Sequence, residues 1–445
     1  MATTKNTETH PNVIWILSDQ QPAHMLSIAG NPNLSTPYID NLARNGLYLD
    51  HAVSGYPLCC PFRGSMLTSR YPHQCVPGHE YQLPPEQPTI ADVFNDVGYH
   101  TAYIGKWHLD GFYERDGRAA FHIVPPERRG RFKHWVGYEN NNSQYDCWVH
   151  GGEGDRAFHH RMNGYETDEL TSLLLDHLET CTGQSDQQQP FFAVLSVQPP
   201  HNPYVAPPEY MARHRPGQIQ LRRNVPECEA ESARESLAGA YAQVENFDDN
   251  VGRIVAWLRQ HDLYDNTHIM IFSDHGDMHG SHGQRLKILP WEESIRVPFV
   301  ISGMNPGYHF KHGRHHAPIN HVDIAPTTLG LCDITPPEWM QGYDYSGLRK
   351  GTKPAASQLP DSAYLQNCEG RGESNKPWRG IVTNDGWKYV CFPGISWQLF
   401  NLREDPYELA NRAHESRFKP IRQRLIARLR EWVTVTGDSF EIPDD

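Results

Sequence analysis

The chain has 445 residues, 38% of them hydrophobic and 21% charged, which is enough apolar material for one large domain and a smaller one, and too much chain for a single simple core. A formal net charge of −13 excludes a nucleic acid or an anionic membrane surface as the main partner, because no excess of cations is available to neutralise phosphates. No run approaches the roughly 20 apolar residues needed to cross a bilayer, and the nine scattered cysteines fit reduced thiols better than a disulfide framework.

The first ten residues are polar, with no apolar stretch of signal-peptide length, so a cytoplasmic location is expected unless a leader has been removed. The apolar run 13–17 then reads as a strand buried on both faces of a parallel sheet, ending at Ser18-Asp19-Gln20-Gln21. Thr36 and Pro37 cap a helix that runs to Asn45 and stops at Gly46, and a strand is expected over 47–53. Next comes Cys59-Cys60-Pro61-Phe62-Arg63-Gly64. Pro61 suits a first helical turn, so Cys59 falls at or just before a helix N-terminus, where unpaired N–H groups and the helix dipole favour an anion or an ionised nucleophile. Arg63, one turn on, offers a planar donor fork for an oxyanion or a carboxylate.

A helix over 89–97 and a strand over 99–104 deliver Gly105-Lys106-Trp107-His108. A long insertion over 110–165, rich in Arg, His, Asn, Gly and aromatics, reads as an ordered functional loop. A helix over 168–180, a polar tract over 183–189 and a strand over 191–197 lead to Pro199-Pro200-His201. The longest helical pattern, 235–261, precedes a strand over 268–272 that delivers Ser273-Asp274-His275-Gly276-Asp277; a strand over 297–301 and a helix over 324–331 follow. Alternation of this kind gives an α/β sandwich around a large, mostly parallel sheet. From about residue 335 the texture turns rich in Pro, Gly and Ser, and short alternating segments at 380–383, 387–390 and 398–401 read as an antiparallel sheet closed by a helix over 418–433. The expected division is a catalytic α/β domain over 1–340 and a smaller α+β domain over 341–445.

Asp19, Lys106, His108, His201, Asp274 and His275 each fall directly after an expected strand. In doubly wound sheets, ligands bind in the crevice outside the strand carboxyl ends, so these groups are expected to meet. Two carboxylates meeting there need a cation between them or a raised pKa. Singly, each residue also has a structural account as a cap, a solvated lysine or a satisfied core histidine.

Cys59-x-Pro61-x-Arg63 followed by Leu67-Thr68-x-Arg70 resembles the signature of the formylglycine-dependent sulfatases, of the alkaline-phosphatase-like superfamily. The likeness continues through Asn12-Val13 to Asp19, Gly105-Lys106-Trp107-His108-Leu109, Pro200-His201, Ser273-Asp274-His275-Gly276-Asp277, His282-Gly283 to Lys287, Glu292 to Pro298, and Leu399-Phe400-Asn401-Leu402-x-x-Asp405-Pro406. Three positions depart from the common pattern: Phe62, where a small residue is usual, and the pairs Asp19-Gln20 and Asp274-His275, where many members carry Asp-Asp and Asp-Asn. Those two pairs also occur in the branch that includes choline sulfatases and phosphonate monoester hydrolases.

The resemblance implies an α/β/α sandwich and a sulfuric ester hydrolase. Cys59 would be oxidised to formylglycine by a separate formylglycine-generating enzyme, and Asp19, Cys59, Asp274 and His275 would hold one divalent cation: calcium first, with manganese or magnesium as alternatives. Arg63 and the cation would hold the nucleophilic hydroxyl, Lys106 would offer a donor to the ester, His201 or Lys287 would serve the departing alkoxide, and His108 would be the base for the second step. The alternatives are a phosphonate monoester or phosphodiester hydrolase with the same nucleophile, and a binding protein whose Cys59 is never converted.

Substrate choice is expected from the insertion. It carries Arg128, Arg129, Arg131, Lys133 and His134 beside Trp135 and Tyr138, followed by three asparagines. Cations for sulfate or carboxylate, amides for hydroxyls and aromatic faces for rings suit a sulfated carbohydrate, with Arg371 and Arg379 of the C-terminal region completing the pocket wall.

Overall fold

In the first strand, β1 (Asn12–Asp19), Val13, Trp15 and Leu17 enter one apolar core while Ile14 and Ile16 enter another, and every residue of the strand is buried. Period-two alternation with both faces apolar places this strand at the centre of a covered sheet. The computed structural model describes residues 10–183, 189–304, 310–352, 359–370 and 376–444.

The other strands of the large sheet are β2 (Leu47–Leu49), β3 (His100–Lys106), β4 (His134–Tyr138), β5 (Trp148–Gly151), β6 (Phe158–Arg161), β7 (Phe191–Pro200), β8 (Thr267–Ser273), β9 (Phe299–Gly303) and β10 (Gly313–His315). Their order is β10-β2-β9-β8-β1-β7-β3-β4-β5-β6. The block β8-β1-β7-β3-β4 is parallel throughout, and antiparallel pairing begins at β9 on one side and β5 on the other. The helices Cys59–Thr68, Ile90–Asp96 and Ile324–Leu331 cover one face, and Pro37–Asn45, Glu166–Gly183 and Ala230–Gln260 cover the opposite one. Thr89 caps its helix as a reciprocal box with Asp92, as an N-capping threonine should. None of the described helices is long and apolar enough to cross a membrane.

The strands Gly313–His315 and Ser362–Asn367 are not expected from the sequence, and two further differences bear on the surroundings of the sheet's edge. The strand expected over 47–53 ends at Leu49, and Val53 keeps only isolated bridges to Arg296 and Asn320. The insertion over 110–165 is not a free loop: β4 pairs parallel with β3, and β5 and β6 extend the sheet beyond it. Trp135 and Val136 point into the two cores on opposite faces, which anchors β4 although the strand is only five residues long.

The C-terminal region forms an antiparallel sheet of β11 (Ser362–Asn367), β12 (Trp378–Thr383), β13 (Trp387–Phe392) and β14 (Ile395–Asn401). One face packs against Leu425, Ile426, Leu429 and Trp432 of the Lys419–Val435 helix. The other, with Ala363, Leu365, Trp378, Val390 and Phe400, packs against Val53 and Ile295 of the large domain. Within the Pro/Gly/Ser-rich stretch, Tyr345 and Leu348 pack on the core of the large sheet.

The two sheets are also joined by charge. Lys388 of β13 is wholly buried; its ammonium donates to the Pro290 carbonyl at 2.6 Å, lies 3.3 Å from Glu292 and pairs with Glu408. Removing one partner leaves buried carboxylates without compensation, which costs about 3–5 kcal/mol. Lys388→Met is therefore expected to lower unfolding free energy by that order in urea titration, and an unchanged midpoint would show that the ammonium compensates nothing.

Candidate active site

Because β8, β1, β7 and β3 are neighbours and parallel, their carboxyl ends form one continuous edge, and the residues that follow them meet despite their separation in sequence. β1 ends on Asp19, β3 on Lys106, β7 runs into His201 and β8 into Asp274 and His275. Gly105 makes the approach of β3 possible. Its φ is +110°, and a Cβ there would stand 2.0 Å from the Ser196 carbonyl oxygen of β7. The ten-residue helix Cys59–Thr68 is buried over its whole length and begins at Cys59, so its positive end opens onto this edge.

The two carboxylates are held by cations. The Arg63 guanidinium donates to Asp19 at 2.9 Å and to Asp274 at 3.2 Å, and it also donates to the Lys106 carbonyl at 2.9 Å and the Ser196 hydroxyl at 2.7 Å. Lys106 pairs with Asp19 at 2.8 Å. All four charged side chains are wholly buried. Burial alone would raise the Asp19 carboxyl, but Lys106, His201, Lys287 and Arg63 outweigh it and hold the group well below the ordinary carboxylate range. Asp274 goes the other way, because burial and then the adjacent Asp19 charge push it up.

Cys59 Sγ lies 3.1 Å from His275 Nε2, 3.4 Å from Lys287 Nζ and 3.7 Å from Asp19 Oδ1. His275 Nδ1 is 3.0 Å from the Gly276 carbonyl, which takes the ring proton and leaves Nε2 bare towards Cys59, Asp19 and Asp274. Burial holds this imidazole at about 4, so it is neutral at physiological pH, with a lone pair to give.

Donor atoms of Asp19, Cys59, Asp274 and His275 all lie within 4.8 Å of one another and are buried. Two carboxylates and a bare imidazole nitrogen fit a divalent cation, and the strain between the two buried carboxyl groups is what such an ion relieves. The four residues read from the sequence as ligands are the four that converge.

The remaining expected residues divide. Lys287 joins the centre, donating to Gln20 Oε1 at 2.7 Å. His201 Nδ1 is 2.7 Å from the Asn202 carbonyl, which leaves Nε2 available, and burial, then Lys287 and Lys106, lower its pKa far enough to keep it neutral. His108 is buried with φ +55°, and its ring stands edge-on to His79 beside Cys60. Burial, then Lys106 and His79, lower its pKa, and its Nδ1 has no partner among the described residues, a state suited to a base.

The expected substrate-binding residues are largely corrected. Arg129 is buried, donates to the Val124 and Gly152 carbonyls at 3.0 and 2.9 Å and lies over Trp135, so it fastens the inserted strands instead of facing a ligand. Arg379 spends its fork on Asp438, at 2.6 and 3.2 Å, and on the Asn367 carbonyl. Trp135 and Tyr138 are core residues, the latter donating to Glu166, and Asn140 and Asn142 both donate to Glu114. Arg131 pairs with Asp92, and Lys133 donates to the Tyr99 carbonyl. Arg128 remains half-exposed, 3.3 Å from Asp110 on the segment that follows His108. Arg371 lies outside the described residues.

Gln20 and Asp277 have roles beyond what the sequence indicated. Gln20, at φ +71°, donates its backbone N–H to Asp274 and its amide to Asp277 at 2.6 Å. Asp277 also accepts from Tyr204 and from the backbone of His279 and Leu286, which fixes the loop carrying Lys287. The signal for Gln20 was its place beside Asp19. Ser196, in the middle of an apolar strand, gave none.

Comparison with known proteins accords with this geometry. A family model described as Sulfatase matches residues 11–334, and one described as the C-terminal part of N-sulphoglucosamine sulphohydrolase matches residues 280–434. An ulvan-active sulfatase of Formosa agariphila is 34% identical, covering 98% of this chain and 83% of its own. A choline-sulfatase of Rhizobium meliloti is 26% identical over 95% of this chain and 86% of its own. The crystal structure of a putative sulfatase from Bacteroides fragilis superposes with a TM-score of 0.85 at 27% identity, covering 97% of both chains.

Replacing Asp19 by Asn leaves Lys106 and Arg63 with one carboxylate in place of two, at a cost of about 3–5 kcal/mol for a broken buried pair. Calorimetric titration should show calcium binding weakened or lost, and urea unfolding of the cation-free protein should show the stability loss. Parental values in both would remove Asp19 from the centre.

Proposed function

The chain belongs to the sulfatase family and is a sulfuric ester hydrolase, and we propose that it cleaves a sulfated carbohydrate with formylglycine at position 59 beside one divalent cation. The observation that carries the chemistry is the convergence of Cys59 with Asp19, Asp274, His275 and Lys287, in which the thiol stands in for a formylglycine oxygen. Hydrated formylglycine supplies a geminal diol, one hydroxyl to attack sulfur and the other to let the sulfate depart by elimination instead of by attack of water. Asp19, Asp274 and His275 would hold the cation, which would supply Lewis acidity at this edge.

The chain's own groups do the rest. The Lys287 ammonium, 3.4 Å from Cys59 Sγ, stabilises negative charge on an oxygen at that place. Arg63 chiefly positions the two carboxylates; its Nε–H, buried and without a partner among the described residues, is the donor left for position 59. Lys106, Lys287 and Arg63 form a fixed positive surround for the equatorial oxygens of the transferred group, which lowers the barrier without reorganisation. His201 Nε2 would donate to the leaving alkoxide as imidazolium, a form that burial and then Lys287 oppose and that the anionic ester and Asp19 favour. His108, neutral and with an unpartnered Nδ1, takes the proton from the second hydroxyl. Maturation by a separate formylglycine-generating enzyme completes the scheme.

Two tests follow. Cys59→Ala should lose several orders of magnitude in aryl sulfate turnover, as loss of a covalent nucleophile does, while Cys60→Ala retains activity. Intact mass of the peptide containing residue 59 reports its conversion independently. The reverse pattern would assign the wrong cysteine, and a parent enzyme active with an unconverted thiol would refute the formylglycine chemistry.

The match to an N-sulphoglucosamine sulphohydrolase C-terminal model over 280–434, together with the ulvan-active relative, supports a saccharide substrate. Of the described arginines expected to contact it, Arg128 is the one part-exposed beside Asp110 on the His108 segment. Arg128→Ala should raise KM several-fold for a sulfated saccharide and leave a small aryl sulfate nearly unchanged. Equal losses on both substrates would make Arg128 a structural residue of the core site, and no loss on either would place it outside recognition.

A further inference from the structure

The amino end of β3 carries a second cluster of metal-type donors that the hydrolytic chemistry does not use. His100 opens β3 and Lys106 closes it, and six residue steps at ~3.3 Å place the cluster about 20 Å from the catalytic edge, at the other end of the strand. His177 and Cys181 are four residues apart on the Glu166–Gly183 helix, so they share one face and both turn towards His100. His100 Nε2 is 3.1 Å from His177 Nε2, and Cys181 Sγ is 3.4 Å from the same nitrogen. All three atoms lie within 4.8 Å of one another.

We propose that His100, His177 and Cys181 form a second metal site, selective for a borderline cation of the zinc class over calcium. Metal–nitrogen bonds of about 2.0–2.1 Å and a metal–sulfur bond of about 2.3 Å, at tetrahedral angles, put two nitrogens about 3.3 Å apart and nitrogen and sulfur about 3.5 Å apart. The observed separations are within a few tenths of an ångström of both. A hydrogen-bonded histidine pair explains the geometry less well, because a single imidazole nitrogen has one lone pair or one proton and is approached here by two partners. A cation placed among the three atoms satisfies them all. Thiolate and imidazole select zinc-like ions, whereas calcium takes oxygen ligands, so the two centres of this protein differ in the metal they prefer.

The surroundings fit the assignment. His134, the first residue of β4, stacks on His177 with ring centroids 3.7 Å apart and fixes that ring. Burial, followed by the neighbouring rings, lowers His177 to about 3, and burial with Lys133 lowers His100, so both imidazoles are neutral with a lone pair to give. Burial raises the Cys181 thiol, so binding releases its proton. An open pocket of about 640 Å³, which Asp176 also lines, borders the cluster and leaves a fourth coordination position accessible to water or a small ligand. A metal here would cross-link β3 to the Glu166–Gly183 helix and stabilise the fold in proportion to its binding.

The test uses the whole enzyme, stripped with chelator and reloaded with excess calcium to fill the hydrolytic centre, then titrated with zinc against a chromophoric chelator. The parent should bind zinc tightly and rise in Tm. Cys181→Ser should weaken that binding at least about tenfold, and His177→Gln should abolish the Tm rise. Cobalt substituted for zinc should give a near-ultraviolet thiolate charge-transfer band that Cys181→Ser removes. Sulfate ester hydrolysis at the parental rate verifies that the calcium-loaded variants are folded, and should His177→Gln fail to fold, the single-atom change at Cys181 carries the test. Zinc binding and Tm response equal in parent and Cys181→Ser, or absent from the parent, would overturn the proposal.

Discussion

The active edge of this protein depends on holding two carboxylates together out of water. Asp19 and Asp274 are wholly buried and share the same guanidinium, that of Arg63, while Lys106 approaches Asp19 from the neighbouring strand. Such an arrangement is costly unless each charge is compensated and each donor is used. The fold provides for this by parallel pairing of β8, β1, β7 and β3, which aligns four strand ends, and by a buried helix whose first turn brings both Cys59 and Arg63 to them. Ser196 accepts a further bond from Arg63, and the Gln20 backbone N–H donates to Asp274. The nucleophile position, the cation site and the cationic surround for a sulfate ester are therefore consequences of one charge-balanced arrangement.

Much of this was legible in the chain. Apolar runs with abrupt polar ends marked β1, β3, β7 and β8, and in a parallel sheet the residue after each such run has only one place to go. Asp19, Lys106, His201, Asp274 and His275 accordingly lie where the pattern put them. Side-chain direction within the insertion was less accessible. Arg129 and Arg379 have the same composition signature as ligand-binding arginines, but their partners are mostly backbone carbonyls and, for Arg379, Asp438, and no residue pattern announces those. In sequence Trp135 and Tyr138 read as ring-stacking faces, because their segment has the composition of a loop. Once β4 pairs with β3, the pleat turns them into the protein, and the loop becomes the edge of the sheet.

The C-terminal sheet is bound to the large domain by more than packing. Its inner face meets Val53 and Ile295, and Lys388 reaches Pro290 and Glu292, a few residues beyond Lys287. The region that looks like an appended subdomain in sequence thus props the segment that carries Lys287 to Cys59. Arg128, in the insertion, stays part-exposed beside Asp110.

The helix that begins at Cys59 has a consequence for the order of events in the life of the chain. All ten of its residues are buried, and Cys59 itself is 1% exposed. A catalyst that converts this side chain has to reach it, and the finished fold closes over both the side chain and its helix. On the proposed chemistry, conversion therefore has to occur while the segment is still unfolded, during or just after synthesis. Folding then acts as a deadline. On the same proposal, a chain that closes around an unconverted thiol would keep the fold and lack the nucleophile, and the active fraction of a preparation would record a race between conversion and the collapse of a helix.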